Sequence, residues 1–323
     1  MNLFISLKNK ISKNDNYLFL IIFFVSAATK SIIAYFYGDT SLQNEWAQLL
    51  SNLYHFNSFS ILRFEDLSVP NLWMPPVYGY FIYIQSLIFG LNENLVISVI
   101  VTQIILSSIT PIIFFKILSN FFDKNLSLIG TVILIFFPLI VYASSQISSV
   151  SLYLFLLTLF LFLVVDLSKN QTKFRIILIG AVAGVLILTR RDFVLIYLFS
   201  LVYLLIFFNI HYQKIIKIIM VSVIIVSPYL VRNYLAFDKV IVHSGLGYNV
   251  WKAYNPEAKV EGYYVKSKKL KEKLKNVNKD IFYRINEDKI YLQQAKEYIS
   301  EDPKKYLNLF FKRIFSFYFV DLN

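Results

Sequence analysis

The sequence predicts an all-α polytopic membrane bundle, on three observations. Of the 323 residues, 57% are hydrophobic and 16% are charged, whereas ordinary soluble domains carry about 25% charge. The mean hydropathy is +0.58. Apolar runs of span length then recur along the chain, and helices crossing a bilayer need roughly 20 such residues because their backbone must satisfy itself. This composition excludes a disordered chain, a disulfide scaffold and a nucleic-acid-binding module. With no cysteine, thiolate metal sites and catalytic thiols are excluded as well, while the redox compartment stays open.

Seven runs read as spans, near 17–37, 95–118, 127–143, 150–166, 174–189, 192–210 and 214–232. The first follows Lys8, Lys10 and Lys13 and continues to Tyr37 without a small-residue cleavage site, so it is a span and not a signal peptide. An eighth apolar run, 75–90, opens with Pro75-Pro76 and is short; it reads as a juxtamembrane or re-entrant helix. That choice sets the parity. With a cytoplasmic N-terminus, the inner turns hold Lys116 and Lys124, then Lys169, Lys173 and Arg175, then Lys214 and Lys217, while the outer loop 38–74 holds only Arg63, as the positive-inside rule requires. Residues 233–305 then lie outside despite their basic middle, because segments longer than about 60 residues are translocated largely regardless of charge.

Outside the spans, an amphipathic helix is expected around Leu42–Tyr54, and another helix in DKIYLQQAKEYI at 288–299. The lysine-rich KSKKLKEKLK at 266–275 reads as a solvated helical face. Asp302-Pro303 has the form of an N-cap with proline at the first helical position. The helix it starts carries Tyr306, Phe310, Phe311, Phe315 and Tyr318 to the end at Asn323. It is too short to cross comfortably, so it is expected to lie in the membrane interface. The expected division is a membrane module over 1–232 with a catalytic outer loop over 38–94, an extracytoplasmic helical segment over 233–305, and the interfacial helix over 306–323.

Charges near lipid are costly and mark functional candidates. Asp39 follows the first span; Lys30 lies inside it. Arg190, Arg191 and Asp192 interrupt an apolar stretch at the outer surface, and Arg232 closes the last span in PYLVRNY. Each has an ordinary alternative: a solvated loop acid, a snorkelling lysine, an interfacial arginine anchor. Together, one acid and up to four cations at the outer boundary suit a lipid-linked phosphate, whose oxygens call for guanidinium donors. His55, His211 and His243 lack metal-ligand spacing. Glu45, Glu65 and Asp66 could join Asp39 around a divalent ion, though nothing in their spacing demands it; no cofactor is required.

The order of these features carries a resemblance. A span is followed by Gly38-Asp39, an amphipathic helix and PPVYGYF; then come YASSQISS at 142–149, LTRRD at 188–192, PYLVRNY at 228–234 and GYNVWKAYNP at 247–256. The chain resembles the polyprenol-phosphate-sugar-dependent glycosyltransferases of the C-type (GT-C) superfamily over nearly its whole length, in particular a bacterial branch related to protein O-mannosyltransferases and lipid A aminoarabinose transferases. The resemblance implies a GT-C-like fold in the bacterial inner membrane with its active site outside. It makes Asp39 the catalytic acid of the first outer loop and matches Arg190, Arg232 and Lys30 to cation positions of the family; with Arg191 these are the residues expected to bind donor phosphate. Pro75, Pro76, Tyr78, Asn249, Trp251 and Asn255 would line the substrate pocket. The implied partners are a polyprenyl-phosphate sugar donor and a lipid, glycan or protein acceptor.

Departures are also present. Thr40 stands where many relatives have glutamate, Val150 where they often have an acid, and Met74 where aminoarabinose transferases have lysine. Relatives commonly continue through further spans, so the chain reads as a short or truncated form. The competing reading is a non-catalytic protein of glycan assembly, flippase-like or an inactive relative. A transporter, however, would pair its charges near the bilayer midplane.

Overall fold

The computed structural model describes residues 13–42, 44–260 and 264–318; Lys8, Lys10 and the last residues of the expected interfacial helix lie outside them. Contacts divide the chain into two units, Met1–Leu50 with Pro75–Tyr229, and Ser51–Met74 with Leu230–Asn323.

The first unit is helical throughout. It contains α1 (Lys13–Tyr37), the start of α2 (Asn44–Phe56), α3 (Pro76–Phe89), α4 (Glu93–Leu118), α5 (Lys124–Ile135), α6 (Pro138–Ser145), α7 (Val150–Lys169), α8 (Lys173–Ile187), α9 (Phe193–Ile206) and most of α10 (Tyr212–Phe237). All seven expected spans therefore fall on helices. Among the described residues, four are long and apolar enough to cross a membrane: α1 from Asn16, α4, α7 and α10. The run expected as one span over 127–143 is instead α5 and α6, bent by 49°. Pro138 lacks the N–H to continue α5 and starts α6 at its first turn. Counted as one, the pair makes a fifth span. α8 and α9, at 15 and 14 residues, are shorter than the roughly 20 a straight crossing needs. This is the architecture of a polytopic helical membrane protein.

Packing within this unit follows from small residues and from repaired backbone. Gly180 and Gly184, one helical turn apart, let α8 approach α10 closely: a Cβ on Gly180 would stand 2.6 Å from the Ile218 carbonyl oxygen, and one on Gly184 2.6 Å from Ile225 Cβ. Between apolar helices in lipid such close approach supplies the attraction that the hydrophobic effect cannot. The core of α7, α8 and α9 is closed by Phe160, which meets Phe193 edge-on at 5.0 Å, and Arg175 pairs with Asp166 where α7 turns into α8. α4 and α10 each contain a proline, Pro111 and Pro228. Each removes the N–H that would bond the carbonyl four residues earlier. Both carbonyls are met by side chains: Ile224 O accepts from Ser227 Oγ at 3.0 Å, and Ser107 O accepts from Lys30 Nζ at 2.7 Å.

The second unit pairs β1 (Leu62–Phe64) with β2 (Leu67–Val69) as a short antiparallel hairpin. It continues with α11 (Leu246–Ala253), α12 (Lys268–Lys275), α13 (Tyr283–Glu301) and α14 (Pro303–Tyr318). Residues 51–74 group with the C-terminal part because Leu72, Phe237 and Ile285 share a buried cluster and because Arg232 bonds the loop, as described below. Gly247 seats α11 on α13, where a Cβ would lie 1.9 Å from Asp288 O. The helices expected from the sequence over this part are present. Ser267 caps α12 by accepting from Leu270 N at 3.2 Å, and Asp302 accepts from Lys305 N at 3.0 Å at the start of α14. α14 leaves Leu307, Phe310, Phe311, Ile314 and Phe315 exposed.

Candidate functional site

The site is built where α1 ends. Gly38 N–H bonds Ala34 O at 2.9 Å in the last bond of the helical ladder, and the helix ends because the next residue, Asp39, donates its own N–H to Ser145 O at 3.1 Å instead. Its carboxylate then accepts the Ile147 N–H on Oδ2 at 2.7 Å. These two bonds clamp Asp39 to the turn between α6 and α7. Gln146 adds a third tie, its Nε2 donating to Tyr37 O at 2.7 Å. Asp39 is half-buried, and Oδ1 has no hydrogen bond among the described residues. One oxygen is thus anchored and the other is available to take a proton.

The turn itself is held from α4. Gln103, fully buried, donates through Nε2 to Gln146 O at 2.8 Å and accepts on Oε1 from Tyr78 OH at 2.7 Å. Tyr78 is completely buried and lies close enough to Asp39 to feel its charge. The Trp46 ring meets it edge-on at 4.7 Å. A glutamine amide can donate and accept at once, so Gln103 links Tyr78 to the Asp39 turn in one chain of bonds. Such a connected buried network fixes a geometry more firmly than its separate bonds would.

The same end of this unit receives the LTRRD turn. Pro75 and Pro76 start α3, and the N–H that follows them, on Val77, bonds Leu188 O at 3.2 Å. Two residues on, Arg190 lies over the Tyr153 ring at 5.0 Å and pairs with Asp192 at 3.1 Å. Both partners of that pair are well exposed. An ion pair of this kind contributes only about 0–1 kcal/mol, so exchanging Asp192 for a phosphate costs little. Arg191 is exposed.

The other expected residues have partners of their own. Lys30 is fully buried, with Nζ donating to Ser26 Oγ at 2.5 Å and to Ser107 O at 2.7 Å; its place is the proline-freed carbonyl of α4. Arg232 belongs to the second unit. Its guanidinium donates to Asn71 O at 3.0 Å, Asn233 Oδ1 at 2.7 Å and Phe59 O at 3.3 Å, closing the 59–71 loop. Trp251 is fully buried in the core of that unit. Asn255, also buried, closes the end of α11 through Lys252 O at 3.0 Å and Glu257 N at 3.0 Å. Asn249 is exposed and bonds back to Gly245 O at 2.8 Å. The structure therefore joins Asp39 to Tyr78 and hydrogen-bonds the start of α3 to the Arg190 turn, while Arg232, Asn249, Trp251 and Asn255 lie in the second unit. No group of three or more His, Asp or Glu that could hold a metal ion comes together among the described residues.

Sequence reading passed over Gln103, Trp46 and the anchoring role of Gln146. A signal for Gln103 was present: a glutamine inside the apolar run VIVTQIILSS must find partners within the protein.

Residues 74–231 match the family model described as dolichyl-phosphate-mannose-protein mannosyltransferase. The match points to a membrane glycosyltransferase of the GT-C type. It spans Pro75, Pro76, Tyr78, Gln103, Gln146, Arg190 and Arg191, and ends one residue before Arg232. No curated protein and no solved structure matches the chain.

Proposed function

We propose that the chain is a glycosyltransferase of the bacterial inner membrane that moves a sugar from a polyprenyl-phosphate donor to an acceptor hydroxyl. The N-terminus is cytoplasmic and the reaction takes place on the extracytoplasmic face. The observation that carries this reading is the clamped Asp39: a carboxylate at the end of an apolar helix, fixed through Oδ2 by the Ile147 N–H, in a unit whose residues from Pro75 onward match a sugar-transferase family.

The chemistry needs one carboxyl group. Asp39 Oδ1 takes the proton of the acceptor hydroxyl as its oxygen attacks the anomeric carbon. The bond from that carbon to the phosphate oxygen breaks on the opposite face, and the electron pair leaves with the polyprenyl phosphate, inverting the configuration. A phosphate already stabilises the leaving charge, so the second carboxyl group that glycosidases use is unnecessary. Arg190 exchanges Asp192 for the phosphate and, with Arg191, stabilises charge as the bond opens. Lys30 is left out of this machinery, because it is fully buried and two of its three N–H donors are committed inside the bundle, and Arg232 is assigned to the 59–71 loop.

Transfer from a synthetic polyprenyl-phosphate sugar by the full chain in lipid nanodiscs tests the reading. Asp39→Asn should remove transfer while leaving donor binding intact, and Arg190→Ala should weaken donor binding. Normal transfer by Asp39→Asn ends the assignment of the base.

A further inference from the structure

The surface of α14 divides into sectors, and only one of them is used inside the second unit. Tyr306 and Leu309 are buried, and Tyr306 meets the Tyr254 ring edge-on at 5.8 Å. Arg313 continues this inner face. Its Nη2 donates to Lys259 O at 2.7 Å and its Nε to Val260 O at 3.3 Å. Lys305 Nζ adds a bond to Pro256 O at 2.9 Å. Together these contacts to residues 254–260 fix which side of α14 faces its own unit.

Another sector is apolar and open. Leu307, Phe310, Phe311 and Ile314 follow the spacing that places side chains on one face of a helix, and they are 59%, 45%, 58% and 43% exposed. Lys304, one turn before Leu307, and Lys312, next to Phe311, are exposed at its margins. Glu301 and Asp302 are the acids nearest in sequence; both precede the helix, and Asp302 is engaged in capping it. A contiguous apolar patch with a polar rim marks a contact with lipid or protein, and two observations choose lipid. The second unit begins inside α10, a helix long and apolar enough to cross a membrane, and the α10 residues of this unit leave Val231, Tyr234 and Leu235 exposed. Lipid is therefore always close to a unit joined covalently to that span. The lysine rim, in turn, complements headgroup phosphates. At 16 residues, α14 is about 24 Å long, short of the roughly 30 Å that a crossing needs.

We propose that α14 is a membrane-surface foot of the second unit, bound to anionic phospholipid in the leaflet where α10 ends. Leu307, Phe310, Phe311 and Ile314 enter the boundary between headgroups and acyl chains, and Lys304 and Lys312 reach the phosphates. Their aliphatic stems lie along the apolar face while the ammonium groups stay in the headgroup layer. Binding of this kind combines buried apolar area with attraction to anionic lipid. The inner face of Tyr306, Leu309 and Arg313 carries the hold from the helix to the rest of the unit. None of this depends on the transferase reading.

The chain has no cysteine, so single cysteines can carry a nitrobenzoxadiazole fluorophore in the full chain in nanodiscs. Leu307→Cys and Phe311→Cys place the label on the stripe, at exposed positions that folding tolerates. Lys305→Cys places it about half a turn round the helix. Two quenchers are spin-labelled phosphatidylcholines, with the nitroxide near the headgroup or near the bilayer centre, and a third is iodide in the water. The stripe labels should emit at shorter wavelength than the Lys305→Cys label. The shallow spin label should quench them at least about twofold more than that control, and iodide should reach them less. Adding phosphatidylglycerol to the disc should deepen this protection, and the double variant Lys304→Gln/Lys312→Gln should lose that increment while keeping the protection seen in neutral lipid. Four results would overturn the proposal. Iodide might reach all three labels equally. The deep spin label might quench more than the shallow one, the mark of a spanning segment. Energy transfer between labelled copies, with no quenching by lipid, would make the occupant a second copy of the chain. Equal protection with and without phosphatidylglycerol would remove the headgroup contact. No readout uses transfer activity, so a failed transferase reading leaves this test intact.

Discussion

Lys30 and Arg284 are both cations with little exposure, yet the two units use them differently. In the first unit, where lipid offers nothing to a stray polar group, Lys30 serves the backbone: it supplies the hydrogen bond that Pro111 removed from Ser107 O. In the second unit, Arg284 lies across an indole face, is half paired, and keeps a buried N–H without a partner. A charged residue near a membrane is therefore not by itself a sign of a ligand; what matters is whether its donors are already used.

The largest expected effect concerns Asp39, whose Oδ2 is held by the Ile147 N–H. Asp39→Asn keeps the shape but cannot take a proton, and should cut turnover in the nanodisc transfer assay by about 10²–10⁴-fold, the usual contribution of a general base. Next comes the α8–α10 contact. Gly184→Leu would force a side chain into Ile225, and overpacking of this kind costs about 1–3 kcal/mol or more; a denaturant titration of the first unit should show an earlier transition.

A smaller effect tests the repair directly. Lys30→Met leaves Ser107 O without its donor, at about 1–3 kcal/mol for a buried unsatisfied group. Adding Pro111→Ala returns the missing N–H, so the double variant should regain part of the lost stability. A double variant no better than Lys30→Met would refute the pairing of lysine with proline. The smallest effect belongs to the second unit. Burial, then the Glu287 charge, raise Tyr291 above its ordinary value of 10.0, so the folded state holds that proton more tightly than the unfolded chain. The stability linked to it is complete below pH 10 and is lost as the pH climbs toward the folded value. Alkaline titration should therefore loosen the second unit above about pH 10, and Tyr291→Phe should flatten that slope.

Much of this could be read along the chain. Apolar length is a local property, so all seven runs became helices, and the caps at Ser267 and Asp302 followed from residue type alone. Asp39 stands out in the sequence because an acid at the end of an apolar run is costly, but its bond to the Ile147 N–H lies 108 positions away. The partner of Lys30 could not be read locally, since its carbonyl acceptor lies on another helix, 77 positions away. Nor could the acceptors of Arg232 at Asn71 and Phe59, 161 and 173 positions away along the chain. Gln103 escaped notice because a glutamine in an apolar run shows that partners exist without saying which.

The sequence by itself determined the helical membrane character, the break at Pro138 in its chemistry if not in its recognition, and the short list of polar residues that lipid makes expensive. Only the tertiary structure decided which of them are committed and which are available: that Gln103 holds the Asp39 turn, that Lys30 repairs α4, and that 51–74 joins the C-terminal part. Hydrophobic length and backbone chemistry act between neighbours in sequence, but a hydrogen bond is satisfied only by whatever the fold brings within 3 Å or so of it.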